Sequence, residues 1–472
     1  MEQNKGGFNS NFGFLMASIG SAVGLGNLWG FPYKMGEGGG FAFLLLYLVL
    51  AVIVGYPTML GEISLGRKTG KACIEAYRIA DKRFTFNGVI ETLVPFFLIC
   101  FYCTFGGYVM KYMFANLGDI FGAGFGIGNT DSGTFFSTFI SAGASPIIYG
   151  LVYLVLTVVI VIAGVSGGIE KFTKVAMPAL FIMLVIVVIR ACTLPGAGAG
   201  LEYIFKPNFE VFQGTGWLKV LGSAGSQMFF SISLASGCLI TYGSYLDKSQ
   251  NLERNAVIIP AADTIVAILA AMAVMPAVFA AGLEPGAGPG LLFVSLQTVF
   301  QGMGASGPIF GFIFFLLVFF AALTSSIGMM EGAVSAMLDA QIRKGKTPNR
   351  LKMSLIFAIV PLLGSTLVSA DGLGSSGFWN PLIATLGPES GKCWLDVFDL
   401  VAEGILMPLG ALVMAIMLGW TRKGWLDDEI LQGSTYKSRA FCNFCWKWII
   451  PVLLVGLLIV QLDSFFDFTS LV

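Results

Sequence analysis

Residues 21–34 read Ser-Ala-Val-Gly-Leu-Gly-Asn-Leu-Trp-Gly-Phe-Pro-Tyr-Lys, "SAVGLGNLWGFPYK". The stretch lies inside an apolar segment long enough to cross a membrane. It nevertheless carries Gly24, Gly26, Gly30, Asn27 and Pro32. In hydrocarbon a backbone N–H or C=O without a partner costs several kcal/mol, so irregular backbone survives there only where it lines a cavity or binds something. Glycines that serve close helix packing are the plainer alternative. Gly20, Gly24, Gly26, Asn27 and Pro32 in so short a run go beyond a packing motif, and the stretch reads as a broken helix.

The whole chain supports a membrane setting. Of 472 residues, 56% are hydrophobic and 11% charged, against roughly a quarter charged in soluble domains. Formal net charge is zero, so no global field points to nucleic acid or an acidic partner. Histidine is absent, which removes histidine triads, most zinc sites and histidine proton relays. The eight cysteines are scattered. The C-x-x-C pairs Cys100/Cys103 and Cys442/Cys445 each stand alone and read as small apolar side chains.

A span needs about 20 mostly apolar residues. Eleven segments qualify: 11–35, 41–66, 89–117, 147–164, 172–192, 219–246, 256–281, 306–338, 351–370, 396–420 and 446–463. They are numbered spans 1 to 11. Segment 282–305 holds an apolar patch too brief to cross and reads as a re-entrant or cap-like helix. Basic residues crowd alternate loops: Arg67, Lys68, Lys71, Arg78, Lys82 and Arg83, then Lys171 and Lys174, Lys248 and Arg254, Arg343 to Lys352, and Arg422 to Lys447. Loops 118–146 and 282–305 hold none. The positive-inside rule makes the first set cytoplasmic. The expectation is a multi-pass plasma-membrane (cell inner membrane) protein with a cytoplasmic N-terminus and an extracellular C-terminus.

Span 6 contains "QMFFSISLASGCLITYGSY", Gln227–Tyr245, with Ser231, Ser233, Ser236 and Gly237 at mid-depth. It opens a second set of five spans, as span 1 opens the first. Broken segments at matching positions of two halves point to an inverted-repeat transporter and its binding site. Asp263 in span 7 is a carboxylate within an apolar run and needs a cation or a polar partner. Ala321, Thr324 and Ser325 in span 8 share a helix face. Such oxygen clusters suit a weakly charged hard cation such as Na⁺. Tyr47, Glu62 and Tyr102 complete the interior polar set. A channel would also use such parts, but does not need two matched breaks around a Phe–Tyr pair. An intramembrane enzyme finds no histidine, no Ser–Lys pair and no paired aspartates at depth. A transport-dead sensor of the same build is the remaining rival.

The motifs "GSAVGLGNLWGFPY", "GGGFAFLLLYL", "QMFFSISL" and "FFAALTSSI" resemble the neurotransmitter:sodium symporter family, bacterial branch, over spans 1 to 10. The resemblance implies an all-α polytopic membrane protein with the LeuT-type fold: one transporter domain over 1–472, a 5+5 inverted repeat of 11–192 and 219–420 with helices 1 and 6 broken, and an eleventh helix at 446–463. It implies Na⁺-coupled import of an amino acid by alternating access, and no enzyme activity. One sodium site would use the Ala22 carbonyl, Asn27, Ser231 and Asp263. The other would use the carbonyls of Gly20, Val23 and Ala321 with the hydroxyls of Thr324 and Ser325. The substrate carboxylate would meet the Leu25 and Gly26 amides and Tyr102, and its amine the carbonyls near Ala22, Phe230 and Ser231. Ser21, Leu98, Phe101, Tyr102, Phe230, Ser233, Ser236, Ser325 and Met329 would line the side-chain pocket, which suits a neutral, apolar or aromatic amino acid.

Three departures sharpen these expectations. Gly24 stands where amine-transporting relatives carry an aspartate, so a zwitterion is favoured over an amine. Asp263 stands where chloride-dependent relatives carry asparagine, and its charge predicts chloride independence. Gly30 stands where relatives carry the arginine of an outer gate. Its acid partner is present as Asp399, and Lys34, one turn on, is the expected substitute cation. Glu403, one turn after Asp399, is left without a role. At the inner side Lys5 and Asp339 are the expected gate pair, with Tyr245 nearby. Oligomeric state is open.

Overall fold

The structure is a computed structural model and describes residues 8, 10–285, 291–375, 392–433, 435–466 and 468. Among these, nine continuous helices are long and apolar enough to cross a membrane: Phe41–Thr69, Lys82–Ile120, Ala144–Ile162, Val165–Cys192, Leu252–Ala280, Gly304–Arg343, Arg350–Asp371, Trp394–Thr421 and Arg439–Phe466. They are spans 2 to 5 and 7 to 11. Span 1 is the bent pair Asn11–Ala22 and Gly26–Glu37, whose axes differ by 46°. Span 6 is interrupted: Gly216–Ile232 stops, five residues run without helix, and Cys238–Gly243 resumes. With the bent span 1 the crossings number ten among the described residues, and the interrupted span 6 is consistent with an eleventh.

Local chemistry sets the ends. Ser10 caps span 1 by accepting the Gly13 N–H at 3.0 Å, and Asn251 and Asn349 do the same for spans 7 and 9, which satisfies an orphan donor of the first turn. Gly70, in the left-handed region at φ 62°, closes span 2. In span 1, Val23 is extended (ψ 105°) where the first half ends, and Pro32 sits in the opening turn after the break's π-helical stretch, where its missing N–H does little harm. Segment 291–302 forms the short cap-like helix expected, Leu291–Ser295 running into Leu296–Gly302. Phe293 stacks on Phe136 at 5.5 Å within an aromatic cluster that holds it.

Spans 1 and 6 occupy the middle. Span 1 packs on spans 5 and 8, the two halves of span 6 pack on span 2, and span 8 runs along span 3 over the most extensive contact in the bundle. The outward faces of spans 2, 4, 5, 9 and 11 present Val52, Val159, Ile182, Leu363 and Val452, all more than half exposed. Apolar residues outside and small or polar ones inside are what a lipid-surrounded bundle requires. The eight cysteines are all free, and six of them, Cys100, Cys103, Cys192, Cys238, Cys442 and Cys445, lie within spans 3, 5, 6 and 11.

Close helix approach depends on glycine. A Cβ on Gly107 would lie 2.5 Å from the Gly150 backbone nitrogen and 2.8 Å from the Tyr149 carbonyl carbon, so span 3 meets span 4 backbone to backbone. Gly107→Ala is therefore expected to lower stability by about 1–3 kcal/mol, the usual range for overpacking. Gly167→Ala, with nothing within 4 Å of its Cβ position, is expected to leave the thermal midpoint in detergent unchanged. Equal midpoints for the two variants would contradict this account of the span 3–span 4 contact.

Candidate functional site

The two breaks face each other. Asn27, first residue but one of the second half of span 1, reaches across both. Its amide nitrogen donates to Ser231 Oγ at 2.9 Å, to Asp263 Oδ1 at 2.8 Å and to the Asp263 carbonyl at 3.1 Å. Its oxygen accepts the Gly24 N–H at 2.9 Å. Ser231 donates to Asp263 Oδ2 at 2.7 Å, and Tyr47 donates to the same oxygen at 3.2 Å. All four side chains are fully buried. Donors from spans 1, 2 and 6 thus converge on one carboxylate of span 7, and every one of them is neutral. Such donors relieve the desolvation of a charge without cancelling it. A small cation would find a carboxylate, a hydroxyl and, with the Asn27 amide turned about, an amide oxygen. Ala22 ends the first helical half beside them.

A second oxygen cluster lies between spans 1 and 8. Ser325 donates to the carbonyls of Gly20 at 3.3 Å and Val23 at 3.2 Å. Thr324 donates to the Ala321 carbonyl at 3.0 Å. A Cβ at Gly20 would meet Thr324 at 3.2 Å, so the absent side chain is what lets the carbonyl run reach span 8. All five residues expected at this site come together.

The pocket residues also assemble. Ser233 donates to the Ser21 carbonyl at 2.9 Å, and Ser236 to the Ser233 carbonyl at 2.8 Å. Ser21 Oγ meets Cys238 Sγ at 3.0 Å. A Cβ on Gly24 would lie 2.3 Å from Ser325 Oγ and 3.1 Å from the Tyr102 hydroxyl, and one on Gly26 would lie 3.0 Å from the Phe230 ring. Leu25, Leu98, Phe101, Ser231 and Met329 are buried around them. Tyr102 meets Phe230 edge to face at 5.8 Å, and Phe101 meets it at 6.2 Å. These three rings separate the pocket from a cavity of about 260 Å³ lined by Trp29, Gly30, Tyr33, Lys34, Phe101, Phe230, Asp399 and Glu403.

One expectation is corrected, at the outer end. Lys34 pairs with Glu403, Nζ to Oε2 at 3.5 Å, rather than with Asp399, which lines the same cavity. Glu403 is 2% exposed while Asp399 is half-buried. The flexible ammonium serves the deeper acid, where an unpaired carboxylate would cost more. At the basic-rich end, Asp339 accepts the Ala72 N–H at 2.8 Å and lies 3.7 Å from Lys71. The expected partner Lys5 lies outside the described residues. The Tyr245 hydroxyl bonds Glu331 at 2.8 Å and Ser335 at 2.7 Å, and Glu331 pairs with Arg350.

Four contacts were invisible in the linear chain. Gln227 donates to the Gly26 carbonyl at 2.7 Å. Glu62 accepts the Ala235 N–H at 2.6 Å inside the break of span 6. Buried Glu331 pairs with the partly exposed Arg350. Phe8 sits edge-on against Phe14, Tyr242 and Tyr245 at 5.7, 5.4 and 6.1 Å. Acids within apolar spans were the only available signal for the second and third.

The chain matches the model of the sodium:neurotransmitter symporter family over residues 5–121 and 145–470. It is 33% identical over 465 residues to an uncharacterized sodium-dependent transporter of Bacillus subtilis (strain 168), YhdH, covering 96% of this chain and 97% of that one. It is 34% identical over 470 residues to an uncharacterized sodium-dependent transporter of Haemophilus influenzae, covering 96% and 98%. Its structure is similar to the crystal structure of MhsT in complex with L-phenylalanine, with a TM-score of 0.85 and 32% identity over 96% of this chain and 99% of that one. With the breaks of spans 1 and 6, this gives the LeuT-type fold. The chain therefore belongs to the sodium:neurotransmitter symporter family, and is a sodium-coupled membrane transporter rather than an enzyme.

Proposed function

We propose that the protein imports a neutral, apolar or aromatic amino acid together with Na⁺, by alternating access and without need of chloride. The observation that carries this reading is the Asp263 carboxylate, buried among Asn27, Ser231 and Tyr47 with only neutral donors around it. One sodium ion would take Asp263, Asn27, Ser231 and the Ala22 carbonyl. A second would take the carbonyls of Gly20, Val23 and Ala321 with Thr324 and Ser325. The substrate carboxylate would meet the amides that open the second half of span 1, at Leu25 and Gly26, where the helix dipole favours an anion. Gly24 has no room for the aspartate that an amine would need, because Ser325 Oγ stands 2.3 Å from its Cβ position. MhsT was crystallised with L-phenylalanine, and the aromatic and small hydroxyl lining here suits the same class.

The two sets of spans, 11–192 and 219–420, would act as the inverted repeats, with 446–463 outside them. The basic-rich end would face the cytoplasm, placing the protein in the plasma membrane with its N-terminus inside and its C-terminus outside. Lys34 with Glu403, above the Phe230–Tyr102 lid, would form the outer gate. Asp339 would belong to the inner one, along with Phe8, which caps the first half of span 1.

L-Phenylalanine is expected to raise the melting temperature of the purified protein in Na⁺ and not in choline. A ligand at a hundredfold its Kd adds about 2.7 kcal/mol by mass action. Stronger stabilisation by glutamate or lysine would overturn the substrate class. Uptake into proteoliposomes is expected to survive replacement of chloride by gluconate. Asp263→Asn is expected to weaken Na⁺ dependence and to make residual uptake respond to chloride; collapse of wild-type uptake without chloride would refute the charge-substitution argument. Lys34→Gln is expected to slow uptake about tenfold, the loss of ~1.4 kcal/mol, while Na⁺-dependent binding remains. Unchanged uptake would remove Lys34 from the gate.

A further inference from the structure

Two carboxyls lie deep in the bundle, apart from the oxygen clusters above. Glu62 on span 2 and Glu91 on span 3 are both fully buried, and Glu62 feels the charge of Glu91. Glu91 Oε1 accepts from the Tyr77 hydroxyl at 2.6 Å and the Asn87 amide at 2.9 Å, and Oε2 from the Cys73 thiol at 3.2 Å. Glu62 Oε1 accepts the Ala235 N–H at 2.6 Å. Glu62 Oε2 and Asn87 Oδ1 have no hydrogen-bond partner among the described residues, although both atoms are buried. A Cβ on Gly410 would meet both Glu91 Cγ at 2.9 Å and Ala235 Cβ at 3.3 Å, so Glu91 lies close to the residue whose N–H Glu62 accepts.

Among the described residues no lysine or arginine pairs with either acid. The titratable neighbours are Cys73 and Tyr77 from the helix Cys73–Ala80, and Cys238 from the second half of span 6. All three are neutral at pH 7 unless specially activated. Span 10 offers only Gly410, whose carbonyl accepts from Asn87 at 3.0 Å. Glu331, beyond Cys238, is paired with Arg350. Two adjacent carboxylates in a dry interior repel each other, and no cation offsets their desolvation. A single shared proton removes one charge and supplies an O–H to an acceptor that otherwise has none.

The place of this pair gives the proton a consequence. Ala235 has φ +51° and Ser233 φ +55°, a region that costs non-glycine residues about 1–3 kcal/mol unless the surroundings enforce it. Glu62 is part of that enforcement. A carboxylate accepts the Ala235 N–H about twice as strongly as a neutral acid would. The same break carries Ser233, whose hydroxyl holds the Ser21 carbonyl of span 1.

We propose that Glu62 and Glu91 form a proton-binding site that holds one exchangeable proton, and that its occupancy is coupled to the opening of the span 6 break. The proton adds to a carboxylate oxygen from water and returns to water; no other bond is made or broken. The coupling rests on the transport reading, whereas the proton site does not.

Infrared spectroscopy of the purified full-length chain tests the site directly. The wild type is expected to show a protonated-carboxyl C=O stretch that shifts in D₂O and disappears as pH rises. That band is expected to be lost in Glu62→Gln/Glu91→Gln, and its titration to be altered in Glu91→Gln, which keeps an acceptor for Tyr77 and Asn87. If the double variant fails to fold, the wild type and Glu91→Gln decide the matter. Identical protonated-carboxyl spectra for wild type and Glu91→Gln across pH would overturn the site. The coupling is read from the melting-temperature shift produced by NaCl against choline chloride. It is expected to vary with pH in the wild type and to flatten in Glu91→Gln. A pH-independent sodium shift in the wild type would overturn the coupling. No sodium shift at any pH would instead refute the sodium reading of the breaks, and the coupling with it, while the infrared result would still decide the proton site.

Discussion

A backbone that leaves its helix inside hydrocarbon must find partners for the groups it frees. In this protein each break finds them on the other or on a neighbour it faces. Ser233 of span 6 takes the Ser21 carbonyl of span 1, Gln227 takes the Gly26 carbonyl, and Ser325 of span 8 takes those of Gly20 and Val23. Glu62 of span 2 takes the Ala235 N–H in return. Neither break is satisfiable alone, so the two must be adjacent. Adjacency in turn demands small residues: no Cβ fits at Gly24 or Gly26 without moving Ser325 or Phe230. The central site follows from this mutual dependence, since the oxygens that repair the breaks are the ones a cation would use.

Charge is distributed by the same logic. Towards the ends of the bundle buried acids have cations: Glu403 has Lys34, Glu331 has Arg350, and Glu429 has both Arg67 and Lys248. Around the two breaks the acids Asp263, Glu62 and Glu91 are held by neutral hydroxyls, amides and a thiol. Neutral donors stabilise a carboxylate without cancelling its field. A mobile cation or proton is therefore more strongly attracted to the middle of the molecule than to its ends. This division would separate groups that hold the ends of the bundle from groups that exchange an ion or a proton.

Span positions were legible because a crossing helix must be apolar over about 20 residues, and the breaks because glycine and serine runs stand out against that background. The oxygen clusters were legible once Thr324, Ser325 and Asp263 were read as polar residues at depth. Partner choice was not. Lys34 chose Glu403 over Asp399 because burial, unknown from sequence, decides which acid most needs a cation. Asp339 also lies 3.7 Å from Lys71, on the segment leaving span 2, a nearness that the sequence separation hides. Glu62 was legible as an interior acid, but its bond to a backbone N–H in span 6 depends on a left-handed Ala235 that no propensity would assign.

Gly30 shows how one absence reorganises several residues. A Cβ there would lie 2.9 Å from Gln227 Oε1, while the other end of that amide holds the Gly26 carbonyl at 2.7 Å. A side chain at this position would push on the far end of Gln227, which repairs the break. Glycine leaves Gln227 in place, and the cation appears one turn later, at Lys34. Its partner is Glu403, one turn along span 10 from the expected acid Asp399. Residues four apart share a helix face, so Lys34 and Glu403 line the same cavity above Phe230 as Gly30 and Asp399 do. The exchange of arginine for lysine trades a planar fork for a single flexible charge. Such a pair depends more on burial than on geometry, which is why Glu403, 2% exposed, and not the half-buried Asp399, completes it.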